Sequence, residues 1–215
     1  MKKFEQELDN LKRSVMEMGA TAEQMVASSS AALVEHDQAA MERVLLDEAK
    51  LDRFQLEIDG EAVRLITIYT PIAKDLRFLL MVARINAELE RIGDQAVNNC
   101  EYVQTLSGSP PTPLSDLAKM SKITRAMVHD ALEAFDQEDL EKAQAVLRCD
   151  DEVDQLYYQT FSDLLEDTSD DAARLGRSMS LILVARSLER IADHATNICE
   201  EVIYMVNSED IRHQH

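Results

Sequence analysis

Turn-forming and aromatic residues are scarce in this 215-residue chain, which has five glycines, four prolines, no tryptophan and 5% aromatics. A β-sandwich or barrel needs Gly, Pro or Asn-Gly at most of its turns, so an all-β fold is excluded. Gly-rich phosphate loops are missing too, with neither G-x-G-x-x-G nor G-x-x-x-x-G-K-[ST] present. No apolar run approaches the roughly 18 residues of a membrane span. The opening Met1-Lys2-Lys3-Phe4-Glu5-Gln6-Glu7 has no apolar h-region, so no secretory signal is expected. The three cysteines, Cys100, Cys149 and Cys199, are odd in number and widely spaced. That suits reduced cytosolic thiols, each expected as a small buried hydrophobe, better than a disulfide frame. Cations are also in short supply. With 22 Lys+Arg against 41 Asp+Glu, the formal charge is 22 − 41 = −19. Nucleic acid and direct adhesion to an anionic membrane are thereby disfavoured, since both need clustered Lys and Arg. His36, His129, His194, His213 and His215 stand beside no nucleophile motif, so a hydrolase triad is not expected.

Against these absences stand 46% hydrophobic and 29% charged residues, enough apolar material for a core. Every proline lies at Pro71 or in the cluster Pro110, Pro111, Pro113. The rest of the chain is free of the strongest helix breaker. Helical periodicity predicts helices at about 4–35, 38–67, 74–106, 115–135, 139–166 and 170–207, with Ser115 and Asp139 as N-caps. The stretch Ser107-Gly108-Ser109-Pro110-Pro111-Thr112-Pro113 reads as a linker at the midpoint.

The two halves are copies. Leu89-Glu90-Arg91-Ile92-Gly93-Asp94-Gln95-Ala96-Val97-Asn98-Asn99-Cys100-Glu101 aligns with Leu188-Glu189-Arg190-Ile191-Ala192-Asp193-His194-Ala195-Thr196-Asn197-Ile198-Cys199-Glu200 at a constant offset, 188 − 89 = 99, with nine identities. A weaker match pairs Val44–Asp52 with Val146–Asp154 at an offset of 146 − 44 = 102. The three-residue difference is expected in the turn Asp136–Asp139. The fold class is therefore all-α, with two tandem three-helix bundles at 1–108 and 114–208, each built on helices about 45 Å long.

Carboxylates fall where a core is expected. On the second helix Glu48, Asp52 and Asp59 share the predicted apolar stripe of Met41, Val44, Leu45, Ala62, Val63 and Ile66. On the fifth, Asp150 and Asp154 share the stripe of Ala143, Val146, Leu147, Phe161, Leu164 and Leu165. An unpaired buried charge costs several kcal/mol, so such pairs call for a compensating cation. On the third helix Glu90 and Asp94 flank a seam of Leu89, Ile92, Gly93, Ala96, Cys100 and Val103; Glu189 and Asp193 repeat this on the sixth. Each half thus offers two [ED]-x-x-x-D pairs, whose i, i+4 spacing stacks both side chains on one face. All-oxygen donor sets of this kind suit magnesium, manganese or iron. Asn98 with Glu101, and Asn197 with Glu200, recur as further polar pairs. The competing reading spends the carboxylates on salt bridges to Arg84, Arg91, Arg186 and Arg190.

The doubled Leu-Glu-Arg-Ile-x-Asp-x-Ala-x-Asn-x-Cys-Glu, together with Glu48–Asp52 and Asp150–Asp154, resembles the PhoU family over essentially the whole chain. Tyr69-Thr70-Pro71-Ile72-Ala73-Lys74-Asp75-Leu76-Arg77 is similar to that family's hairpin before the third helix. In the second half this hairpin has decayed to Asp171-Ala172-Ala173-Arg174-Leu175. The resemblance implies metal clusters held by Glu48, Asp52, Glu90, Asp94, Asp150, Asp154, Glu189 and Asp193, with iron, manganese, magnesium or zinc as the ion. It further implies a cytoplasmic homodimer that represses phosphate uptake and starvation signalling. The implied partners are the ATPase of the phosphate ABC transporter and the phosphate-sensing histidine kinase. Two other readings compete, a ferritin-like di-iron oxidoreductase and a metal-free helical interaction module. The ferritin-like site needs Glu-x-x-His, and Gly93 and Ala192 stand where that histidine belongs.

Overall fold

A computed structural model describes residues 2–35, 37–106, 115–166 and 172–208. Among them are six helices and no strand: α1 (Lys2–Glu35), α2 (Gln38–Tyr69), α3 (Ala73–Thr105), α4 (Ser115–Gln137), α5 (Leu140–Glu166) and α6 (Ala172–Asn207). The predicted linker 107–113 and the tail histidines lie outside the described residues. Asp139 caps α5 as expected, its carboxylate accepting from the backbone N–H of Glu141 (2.9 Å) and Lys142 (3.0 Å). A second cap, not anticipated, is Asp37, which accepts from Ala40 N–H at the start of α2. α2 ends on Thr70 in the left-handed region (φ 43°), whose N–H reaches the Ile66 carbonyl at 3.0 Å, and Pro71 forbids continuation.

In each half the three helices pack on one another, and the halves join through α3 on α6 and, over a shorter length, α1 on α4. The two bundles therefore share one continuous core that runs through α1, α3, α4 and α6, with α2 and α5 on the outer flanks. α3 and α6 run antiparallel. Arg77 reaches the Met205 carbonyl, Arg84 bonds Glu201, Glu88 bonds His194, and Thr105 bonds Ser180. The offset of 99 carries α3 onto α6 and preserves this antiparallel register, so the seam is a pseudo-two-fold centred near Ile92 and Ile191, both fully buried.

The buried seam of α2 is Ala40, Val44, Leu51, Ile58, Ala62 and Leu65. Its centre lies about 90° around the helix from the stripe predicted above. That stripe runs through Leu45 and Val63, which are 53% and 64% exposed. Glu48 consequently lies at the edge of the core, half-buried, and Asp52 and Asp59 are exposed. The same correction applies to α5, where Ala143, Val146, Val153 and Thr160 are buried while Phe161 and Leu165 are exposed. The α3 seam stands as predicted, with Leu89, Ile92, Gly93, Ala96, Cys100 and Val103 all buried. Cys149, expected inside, is exposed, because the buried seam of α5 runs through Val146 and Val153 instead.

The buried positions also relocate the length difference between repeats. Val15, Met18, Ala22, Met25, Val26 and Leu33 correspond to Leu117, Met120, Thr124, Met127, Val128 and Phe135 at an offset of 102, the same as between α2 and α5. Nothing was gained at Asp136–Asp139. The three-residue difference falls between α5 and α6, where the sequence has no proline to match Pro71.

Glycine has a packing role at Gly93. A Cβ there would stand 2.2 Å from Leu51 Cδ2. The second repeat solves the same contact with Ala192 and Val153, moving one methylene across the interface. Gly93→Ala alone should cost about 1–3 kcal/mol through overpacking, and adding Leu51→Val should return most of it. Chemical denaturation of the two single variants and the double variant measures this coupling.

Candidate carboxylate centres and family membership

The i, i+4 pairs of α2 and α3 meet on the flank of the first bundle. Glu48 is held above the usual carboxylate range by burial and by the charges of Asp52, Asp94 and Glu101. Glu90 is raised by burial and by Asp94 and Asp52, and Asp94 by burial and Asp52. These mutual influences place Glu48, Asp52, Glu90 and Asp94 in one electrostatic group. Glu101, whose recurrence the sequence displayed, joins them.

The second group is the deeper one. Glu189 is 9% exposed. Burial pushes its carboxyl up to about 7, and the charges of Asp193, Asp154 and Asp150 push the same way against Arg186. Asp193 is raised by burial and Asp154. Arg186 donates to Glu189 Oε1 at 2.6 Å, while Glu189 Oε2 is buried with no hydrogen-bond partner. The salt-bridge alternative is satisfied there only in part. Arg84 and Arg91 go elsewhere, to Glu201 at 3.1 Å and Glu88 at 2.7 Å. Arg190 acts on Asp94 and Asp193 through its charge.

The donor set fits a hard or borderline cation. It is all-oxygen, anionic, partly desolvated and internally repulsive, and one buried oxygen is orphaned. A bound divalent ion would relieve the like-charge crowding that raises these groups. Glu48, Asp52, Glu90 and Asp94 would hold it in the first half, and Asp150, Asp154, Glu189 and Asp193 in the second. None of the eight belongs to a group of three donors drawn within 4.8 Å, a spacing that the described residues show at His129, Asp130 and Glu133.

Comparison of the two halves hides the residues that join them. Glu88 Oε2 accepts from His194 Nδ1 (2.8 Å) and Asn197 Nδ2 (3.0 Å), and its other oxygen takes Arg91. Burial works against the charge on Glu88, but these bonds and the neighbouring cations win, and its carboxyl sits below the usual range. Glu88 aligns with Ser187 and His194 with Gln95, so this bridge occurs once in the molecule and leaves no trace in a repeat alignment.

A model of the PhoU domain matches residues 15–103 and again 117–202. The chain belongs to the PhoU family. The PhoU homolog of Clostridium acetobutylicum, a phosphate-specific transport system accessory protein, is 32% identical over 210 residues, covering 97% of this chain and 96% of its own. The accessory protein PhoU of Escherichia coli K12 is 33% identical over 211 residues, covering 98% of this chain and 88% of its own. The crystal structure of PhoU from Pseudomonas aeruginosa superposes with a TM-score of 0.92 at 31% identity, over 96% of this chain and 100% of that one. The phosphate transport system regulatory protein PhoU from Streptococcus pneumoniae gives 0.90 at 25% identity, over 97% and 99%. Membership places the chain among accessory proteins of phosphate transport rather than among enzymes. No described helix is long and apolar enough to cross a membrane.

Each carboxylate group has its own test. Asp52→Ala with Asp94→Ala should lower the metal content of protein loaded with manganese or iron, measured by elemental analysis. Unchanged stoichiometry would overturn the assignment of the first centre. For the second centre the sign of the pH dependence is fixed. Glu189 holds its proton up to about 7 when folded but releases it near 4.5 when unfolded. The folded state therefore binds more protons in that window, and metal-free stability should fall as pH rises from about 4.5 through 7. Glu189→Gln should flatten this slope in denaturant titrations, and added manganese should raise stability most above pH 7.

Proposed function

We propose that this protein is a non-catalytic repressor of high-affinity phosphate uptake. In this reading it acts in the cytoplasm as a homodimer. It docks on the ATPase of the phosphate ABC transporter and on the phosphate-sensing histidine kinase when phosphate is plentiful, and metal ions on the eight carboxylates rigidify it for that task. The observation that carries the reading is the doubled set of crowded carboxylates in a chain of this family, with no nucleophile constellation beside it.

Surface chemistry supports a docking role in the same terms. Leu80 and Met179, each 48% exposed, occupy equivalent positions on α3 and α6, and Val63 and Leu165, also exposed, are equivalent on α2 and α5. Apolar side chains kept at the surface in both copies suit burial against a partner. The test is genetic. Deleting the gene should derepress phosphate uptake and an alkaline phosphatase reporter at high phosphate, and unchanged reporter activity would count against repression. Co-purification of the ATPase from phosphate-replete cells, but not from starved ones, checks the partner.

A further inference from the structure

A second kind of metal donor stands far from the carboxylate groups, on the seam between α1 and α4. His129 lies on the exposed side of α4, and its Nδ1 is 3.2 Å from Glu23 Oε2 on α1. A carboxylate can only accept, so Nδ1 donates to Glu23 and Nε2 is left as the atom available to a metal. On that side Glu133, one turn further along α4, places Oε1 at 4.0 Å from Nε2. Asp130 supplies a third donor, all three ligand atoms lying within 4.8 Å of one another. The other oxygen of Glu133 is held by the Lys142 ammonium from α5. A cavity of about 590 Å³, lined by Glu23 and His129 together with Ser121, Lys122 and Arg125, opens beside the imidazole.

We propose that His129, Asp130 and Glu133 bind a divalent cation of the zinc class, with Glu23 as the positioning carboxylate for the imidazole. Two features separate this cluster from an ordinary acidic surface. Both flexible donors are already oriented from behind, His129 by Glu23 and Glu133 by Lys142, which is the outer-shell arrangement that metal-binding histidines show. The 4.0 Å between Nε2 and Oε1 also needs only a small side-chain adjustment to reach the ~3.4 Å that separates two donors on a tetrahedral zinc with bonds of about 2.1 Å. The mixed nitrogen–oxygen set selects zinc, nickel or copper over magnesium. Lys122 and Arg125 beside the site disfavour a hard cation held by charge alone. Three protein ligands leave at least one position open for water. Nothing equivalent exists in the other repeat, because α1 has Ala27 where α4 has His129.

The site is independent of the carboxylate centres and is tested in their absence. In a background carrying Asp52→Ala, Asp94→Ala, Asp154→Ala and Asp193→Ala, zinc alone is titrated by calorimetry, with circular dichroism confirming equal helicity. One zinc equivalent is expected to remain. His129→Ala should abolish it, and Glu23→Gln should weaken it by about 10–100-fold, the usual cost of losing an outer-shell partner. Copper substituted at the site should show nitrogen hyperfine coupling that His129→Ala removes. Zinc binding of the same stoichiometry and affinity in the His129→Ala protein would overturn the proposal, as would the absence of any zinc equivalent in the background that retains His129.

Discussion

The antiparallel seam of α3 on α6 is the contact on which everything else is hung. Its centre is apolar, at Ile92 and Ile191, and the polar bonds that fix its register are spaced along it toward both ends. Both [ED]-x-x-x-D pairs of this layer sit within a turn of that centre, so the seam that joins the halves also sets where their acidic flanks lie. Charge is consequently felt across it: Arg190 and His194, on α6, act to lower the carboxyl of Asp94 on α3 against the burial that raises it. Register here is overdetermined. Sliding α6 by one turn would break the Arg84–Glu201 and Glu88–His194 bonds together, each at a largely buried carboxylate.

The two carboxylate groups occupy the same repeat positions, with Asp150 where the first has Glu48, but have different surroundings. Asp52 and Asp94 of the first group are exposed, whereas none of the four in the second is. Water therefore screens repulsion in the first group better than in the second, and this is why Glu189 is shifted furthest. A cation bound at the deeper group would relieve more of this repulsion than one at the first.

Much of this architecture is legible in the amino-acid order itself. Pro71 and Pro110–Pro113 mark the helix breaks, and the doubled Leu-Glu-Arg-Ile motif marks the repeat. Both live in local spacing, which sequence records directly. The orientation of α2 and α5 does not. Leu45 and Val63 are apolar yet exposed, and a periodicity count weights them like Leu51 and Ile58, so the apparent stripe turns toward the acids by a quarter of the circumference. The acidic groups stand out all the same, because i, i+4 spacing and duplication survive a misplaced axis. The Glu88–His194 bridge and the length change between α5 and α6 escape for the opposite reason. Each is a difference between the halves, and each depends on long-range packing that spacing along one helix does not encode.

That length change has a consequence for how the molecule is met from outside. The repeat offsets, 102 before it and 99 after it, make the second half three residues shorter between α5 and α6, equal to about 4–5 Å of helix. The first arm ends in a proline-fixed elbow that holds Ile72 80% exposed, and the second half has no proline in its sequence after α5. A body that is nearly two-fold in its interior is thus marked on one side by an exposed apolar corner. A partner that reads Ile72 can tell one half from the other and seat in a single orientation.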